Sequence, residues 1–222
     1  MTRPFRDRSE AGRLLAEKLS AYANRSDVLV LALPRGGVPV AYEVARALNV
    51  PLDIFLVRKL GVPGYGELAM GAIASGGVRV LNSDVIHHLA ISDQAIERVA
   101  RFEQQELRRR ELAYRGDRAA PDVRDRIVIL VDDGLATGST MRAAVRALRL
   151  QRPASIVVAV PVAGESTCAA FRKEVDEIVC AKTPEPFRAV GLWYEDFSQT
   201  SDEEVRKLLK STAQAQSAAS GK

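Results

Sequence analysis

Arg126-Ile127-Val128-Ile129-Leu130-Val131-Asp132-Asp133-Gly134-Leu135-Ala136-Thr137-Gly138-Ser139-Thr140-Met141 is the stretch from which the rest of the chain can be read. Residues 127–131 are apolar and mostly β-branched without alternation, as expected of a central parallel strand covered on both faces. Two carboxylates follow where that strand would leave the sheet. Small residues come next, which let backbone amides turn inward around an anion. From Met141 the spacing predicts a helix, whose positive N-terminal end would face the same anion. Amides and hydroxyls for a phosphate, with carboxylates for sugar hydroxyls, fit a phosphorylated sugar. The lysine-bearing nucleotide loop is excluded because residues 134–140 contain no lysine, and the Gly-x-Gly-x-x-Gly dinucleotide pattern is absent.

Upstream, the buried run 28–33 ends in Pro34-Arg35-Gly36-Gly37, and a helix is expected over 38–48. This is a second strand–turn–helix unit shaped for an anion. Residues 52–57 predict another strand, leading into Arg58-Lys59. Three glycines and a proline in residues 60–67 predict a hinged loop, followed by a short hairpin at 70–74 and 78–81. Before the run 28–33, Asp7 or Ser9 can cap a first helix through about Ala23, and residues 24–27 turn the chain.

The acidic pair followed by Ala-Thr-Gly-x-Thr closely resembles the phosphoribosyl pyrophosphate (PRPP) motif of type I phosphoribosyltransferases. The similarity covers roughly residues 28–80 and 124–197. It implies a doubly wound, mainly parallel α/β sheet with a small hood over the carboxyl ends of the strands. It also implies that Asp132 and Asp133 hold the ribose hydroxyls, and that Ala136, Thr137, Gly138, Ser139 and Thr140 bind the 5′-phosphate. Arg35, Gly36 and Gly37 would face the diphosphate, in a loop where relatives often carry a non-proline cis peptide. Arg58 and Lys59 would enter a mobile lid. Arg35, Lys59, Asp132 and Asp133 are thus the expected catalytic set. Phe187 or Trp193 would stack on the acceptor, and Asp132, Asp133, Glu195 or Asp196 would face Mg²⁺. The implied partners are PRPP and a small nitrogenous acceptor, in a chain that admits a homodimer.

The domain expected is single, over residues 1–210, with a helical insertion at 82–120, a hood segment at 183–200 and a disordered tail at 211–222. In the insertion, Ser92 caps a long helix to about residue 115. Its Glu97–Arg101, Glu106–Arg110 and Glu111–Arg115 spacings favour ion pairs. The run Arg108-Arg109-Arg110 raises a rival reading, a PRPP-sensing regulator that binds nucleic acid. Interleaved glutamates, and no interleaved aromatics, favour a solvated helix face instead. His87 and His88 have no partners at metal spacing.

The 222 residues carry a net charge of +4 and are 47% hydrophobic, enough for one substantial core. A pI near 9.2 permits anionic ligands without demanding nucleic acid. Cys168 and Cys180 are too few for a disulfide framework or zinc site, so a reducing cytoplasm is expected. No run reaches membrane-spanning length, and the N-terminus lacks a signal-peptide core.

Overall fold

The computed structural model describes residues 3–220, apart from the side chains of residues 66, 67, 213 and 215–220. Five strands form a parallel sheet: β1 (Val28–Ala32), β2 (Leu52–Ile54), β6 (Ile127–Val131), β7 (Ser155–Val162) and β8 (Glu177–Lys182). Their spatial order is β2-β1-β6-β7-β8. Successive side chains of a strand point to opposite faces, and the core divides accordingly. Val28, Val30, Ile129, Val131 and Val157 pack beneath α1 (Arg8–Lys18), α2 (Gly37–Leu48), α4 (Asp93–Arg115) and α7 (Asp202–Ser220). Leu29, Leu31, Val128, Leu130 and Val158 pack beneath α5 (Ser139–Leu150) and α6 (Glu165–Phe171). This is the doubly wound α/β sheet expected.

A second, antiparallel sheet contains β3 (Val57–Val62), β4 (Tyr65–Ala74) and β5 (Val78–Leu81). It replaces most of the expected loop at 60–67. Leu60 and Val62 are buried while Lys59 is exposed, and that alternation favours a strand over a loop. The turn is made at Gly64, whose φ of +81° suits glycine. After β5 come a short helix α3 (Ser83–His88) and then α4. Glu106 and Glu111 pair with Arg110 and Arg115 as their spacing predicts. Glu97 departs from its expected pairing and meets Arg79 of β5 instead.

Two expectations are corrected. Cys168 and Cys180 form a disulfide between α6 and β8, because α6 folds back against the strand that follows it. That pairing removes the argument for a reducing compartment. The tail expected to be disordered from residue 211 continues α7 to Ser220. Its alanines and glutamines are good helix formers and extend a helix already begun by packing; residues 221 and 222 lie outside the described residues. No helix among those described is long and apolar enough to cross a membrane.

Candidate active site

The strand order reverses direction between β1 and β6. The chain leaves β1 toward one face of the sheet and β6 toward the other, so a crevice opens beyond their carboxyl ends, the usual ligand position in open α/β sheets. The loops after these two strands carry most of the residues singled out by sequence.

The loop after β1 is tied to β6 by the Leu33 amide, which donates to the Val131 carbonyl at 2.9 Å. Its Pro34–Arg35 peptide is cis. Gly36 and Gly37 lie directly against the acidic pair. A Cβ at Gly36 would stand 2.0 Å from Asp133 Oδ2, and one at Gly37 would stand 2.9 Å from the Asp132 Cα. The glycines therefore let the two loops close on each other. The Gly37 amide is engaged by the Leu33 carbonyl at 3.1 Å, which leaves Gly36 as the open donor of the pair among the described residues. Arg35 has a nitrogen 3.7 Å from Asp202 at the start of α7. Asp202 also accepts a hydrogen bond from the Tyr114 hydroxyl at 2.6 Å.

The two aspartates differ in surroundings. Asp133 meets Arg8 of α1, whose Nε and Nη2 each lie 2.9 Å from Oδ2, with both side chains largely buried. Arg8 also donates to the Ser198 carbonyl at 2.7 Å, and its guanidinium sits 4.1 Å from the Phe197 ring centre. The Tyr194 hydroxyl donates to the Asp133 carbonyl at 2.6 Å. Among the described residues, Asp132 Oδ1 accepts only from the Asp133 amide, at 2.8 Å. Burial, and then the charge of Asp133, push the Asp132 carboxyl well above the usual carboxylate range. Burial also raises Asp133, but Arg8 opposes that rise. Asp132 is thus the uncompensated carboxylate of the crevice. Arg8 and Tyr194 escaped the sequence reading, since 125 and 61 residues separate them from Asp133. The one faint signal was a cation in the first turn of a helix, where the dipole disfavours it.

In the next loop the carbonyls turn outward. Thr167 Oγ1 donates to the Ala136 carbonyl at 3.1 Å and Arg142 to the Thr137 carbonyl at 2.7 Å. The amides of Ala136, Thr137 and Gly138 have no acceptor among the described residues. Gly138 has φ +72°, and Phe171 lies beneath it, so close that a Cβ would stand 2.5 Å from the ring. Ser139 then opens α5, and its hydroxyl lies 3.0 Å from that of Thr137. Unpaired amides at the positive end of a 12-residue helix make an anion cradle. Thr140 lies in the first turn of the same helix.

Other sequence candidates fall into different places. Phe187 lines a cavity of about 740 Å³ with Ala136, Thr137, Gly164 and Thr167. Trp193 and Phe187 both pack against the cluster of Phe5, Ala11, Val162 and Tyr194, but Trp193 does not line that cavity. Arg58 points away from the crevice and pairs with Glu103 of α4. Lys59 lines a separate cleft beside Ser139. Glu195 is exposed, 3.9 Å from Arg3, and Asp196 accepts from the Ser198 amide at 2.9 Å. No cluster of three or more His, Cys, Asp or Glu side chains suited to a metal occurs among the described residues. Arg109 and Arg110 both pair with Glu106, whose carboxyl those bonds hold down at about 2.

The sequence matches the phosphoribosyl transferase domain family over residues 8–192. Two proteins of Mycobacterium tuberculosis, "Putative phosphoribosyl transferase MT0597" of strain CDC 1551 and "Putative phosphoribosyl transferase Rv0571c" of strain H37Rv, are each 47% identical over 205 residues. Those matches take in 92% of this chain and 46% of each relative, so the chain spans less than half the length of the curated relatives it matches. The crystal structure of TT1426 from Thermus thermophilus superimposes with a TM-score of 0.81 at 43% identity, covering 94% of this chain and 98% of that one. A crevice between β1 and β6 with an acidic strand end and an amide cradle is therefore set in a chain that belongs to the phosphoribosyltransferase family.

Proposed function

We propose that the protein transfers the ribosyl 5-phosphate group of PRPP to a nitrogen nucleophile and releases pyrophosphate. The observation that carries this reading is the crevice itself: an amide cradle, an uncompensated carboxylate and an arginine-bearing loop converge at one reversal of strand order. In this reading the amides of Ala136, Thr137 and Gly138, with the hydroxyls of Thr137, Ser139 and Thr140, take the 5′-phosphate. Asp132 accepts from the ribose hydroxyls. Asp133 is a positioning residue, held by Arg8 and keeping the two loops together across Gly36. Arg35 and the Gly36 amide face the diphosphate, where they neutralise charge that grows as the C1–oxygen bond breaks. Lys59 on β3 lines the separate cleft beside Ser139 and stands outside this set.

The residues suit Mg²⁺ that arrives with the substrate, since this ion is commonly held by one or two carboxylates plus substrate phosphates. Asp132 would be its protein ligand; Glu195 and Asp196 are engaged elsewhere. When bound, the ion supplies charge neutralisation to the departing diphosphate.

The acceptor would enter the cavity beside Ala136 and stack on Phe187. Relatives that use 6-oxopurines typically carry an aspartate at the position of Ala136, near the purine N7. A methyl group there removes that polar contact, a loss on the order of 1–3 kcal/mol. Hypoxanthine and guanine should then react roughly ten- to a hundredfold more slowly than the true acceptor. Pyrophosphate release from PRPP and Mg²⁺, measured across purines, pyrimidines and non-purine amines, tests both statements. Release with a base other than these two supports them; equal turnover of hypoxanthine removes the Ala136 argument. If no acceptor gives release and calorimetry detects no PRPP, the proposal falls. A regulator would bind PRPP without turnover and bind nucleic acid at low salt through Arg108–Arg110. Engagement of two of those arginines by Glu106 weighs against that alternative.

A further inference from the structure

A second cavity lies on the far side of the phosphate loop. Ala136 and Thr137 line the hood cavity, whereas Ser139 lines a cleft of about 320 Å³ between α5 and the small sheet. One wall is the α5 stripe Ser139, Arg142, Ala143 and Arg146. These positions recur at helical spacing over two turns, about 10 Å from end to end. The other wall comes from the sheet, where Lys59 pairs with Ala72 and Ala72 with Val80. Directly paired residues share a face, so these three side chains form a row.

The cations of the cleft are not equivalent. Arg142 is committed within the protein: Nε donates to Glu174 at 2.8 Å, Nη1 donates to the Thr137 carbonyl at 2.7 Å, and the guanidinium covers Phe171 at 4.7 Å. Lys59 and Arg146 have no acidic partner among the described residues, and both are exposed. The rest of the lining is mainly apolar or small, with Ala69, Ala72, Val80, Leu81 and Ala143, and adds the polar Asn82.

We propose that this cleft is a second ligand site, separate from the crevice, for an elongated organic phosphate with a flat apolar body, of the size of a nucleoside monophosphate. Three features fix the class. Two unpaired cations match a dianionic phosphate monoester. Apolar walls receive the flat ring, and Asn82 in the same lining offers a polar partner to a single ribose. The length of the stripe exceeds what one inorganic phosphate can span. Because Ser139 belongs both to this cleft and to the anion cradle, an occupant would also bear on the first turn of α5.

The test is calorimetric titration with AMP and with GMP, with inorganic phosphate as a control. It uses the intact protein, Asp132→Asn, Arg146→Glu and Arg146→Lys. One mononucleotide should bind with an affinity that survives Asp132→Asn and saturating PRPP with Mg²⁺. That affinity should fall at least tenfold in Arg146→Glu and be retained in Arg146→Lys. Circular dichroism and thermal unfolding establish that each variant is folded. The proposal is overturned if neither nucleotide binds, if Arg146→Glu binds as the wild type does, or if PRPP displaces the nucleotide and Asp132→Asn abolishes its binding. The last outcome would mean that the nucleotide merely occupies the product's place. A folded protein that binds the nucleotide but not PRPP would strike the transferase reading and leave this site standing.

Discussion

Asp132 and Asp133 are adjacent in sequence and read alike, yet their surroundings oppose each other. Burial and the neighbouring charge raise the Asp132 carboxyl, so the folded chain holds that proton more tightly than the unfolded chain does. Its ionised form therefore costs stability, increasingly as pH climbs above the ordinary carboxylate value and through the raised one. Asp132→Asn should stabilise the unliganded protein at neutral pH by on the order of 1–2 kcal/mol. Each kcal/mol corresponds to about 2–4 °C in a chain of this length. PRPP affinity should fall sharply in the same variant. Thermal unfolding at pH 5 and pH 8 checks the sign: the variant should gain more over the wild type at pH 8. Arg8→Ala should act the other way, leaving Asp133 buried without its cation. Loss of one partner of a buried pair costs about 3–5 kcal/mol; with 12% and 15% of these side chains still exposed, about 2–3 is expected, read from urea midpoints. The acidic pair was legible because its strand and loop are contiguous in sequence. The division of labour within it was not, because Arg8 is placed by the fold rather than by spacing.

The hairpin of β3 and β4 shows where composition and periodicity conflict. Glycines and a proline in residues 60–67 suggested a hinge, but Leu60 and Val62 alternate with outward positions and enter the core. Burial outweighed turn propensity, leaving only the tip around Gly64 as a turn. Arg58, expected in the lid, instead joins the hairpin to α4 through Glu103. Hydrogen exchange on the unliganded protein should therefore show residues 57–62 protected, with rapid exchange confined to the tip. Rapid exchange throughout 57–67 would restore the mobile-loop reading. Glu103→Gln should increase exchange across β3 and lower stability by about 1–2 kcal/mol, since a partly buried charge loses its partner. PRPP affinity should change little, because Arg58 lies outside the crevice. Long helix α4 was legible from its cap and its glutamate–arginine spacing. Its attachment to the hairpin was not, because Arg58 and Glu103 are 45 residues apart.

Across the whole molecule, the buried strands β1 and β6 announced the sheet, while the elements that close it came from the chain's ends. The N-terminal segment supplies Arg8, and the Phe5 carbonyl accepts from the Glu195 amide at 2.7 Å, joining the first residues to the hood. The C-terminal helix reaches the crevice through Asp202, which links Arg35 to Tyr114 of α4. Polar composition beyond residue 210 concealed how α7 continues to Ser220. The energetics of α7 reside in Val205 and Leu209, which are 0% and 1% exposed in the core shared with α2 and α4. Burying two such side chains contributes about 1.5–3 kcal/mol each, so the pair carries about 3–6 kcal/mol. That is a large share of the roughly 5–15 kcal/mol by which a domain is usually stable. A chain ended after residue 212 keeps both side chains and should unfold within about 1 kcal/mol of the full chain. One ended after residue 200 loses both, together with the Asp202 contact to Arg35. Its urea midpoint should collapse, and any folded fraction should bind PRPP more weakly. Equal midpoints for the two truncations would mean that α7 rests on the domain without belonging to its core, and the connection from Arg35 to the far end of α4 would lose its support.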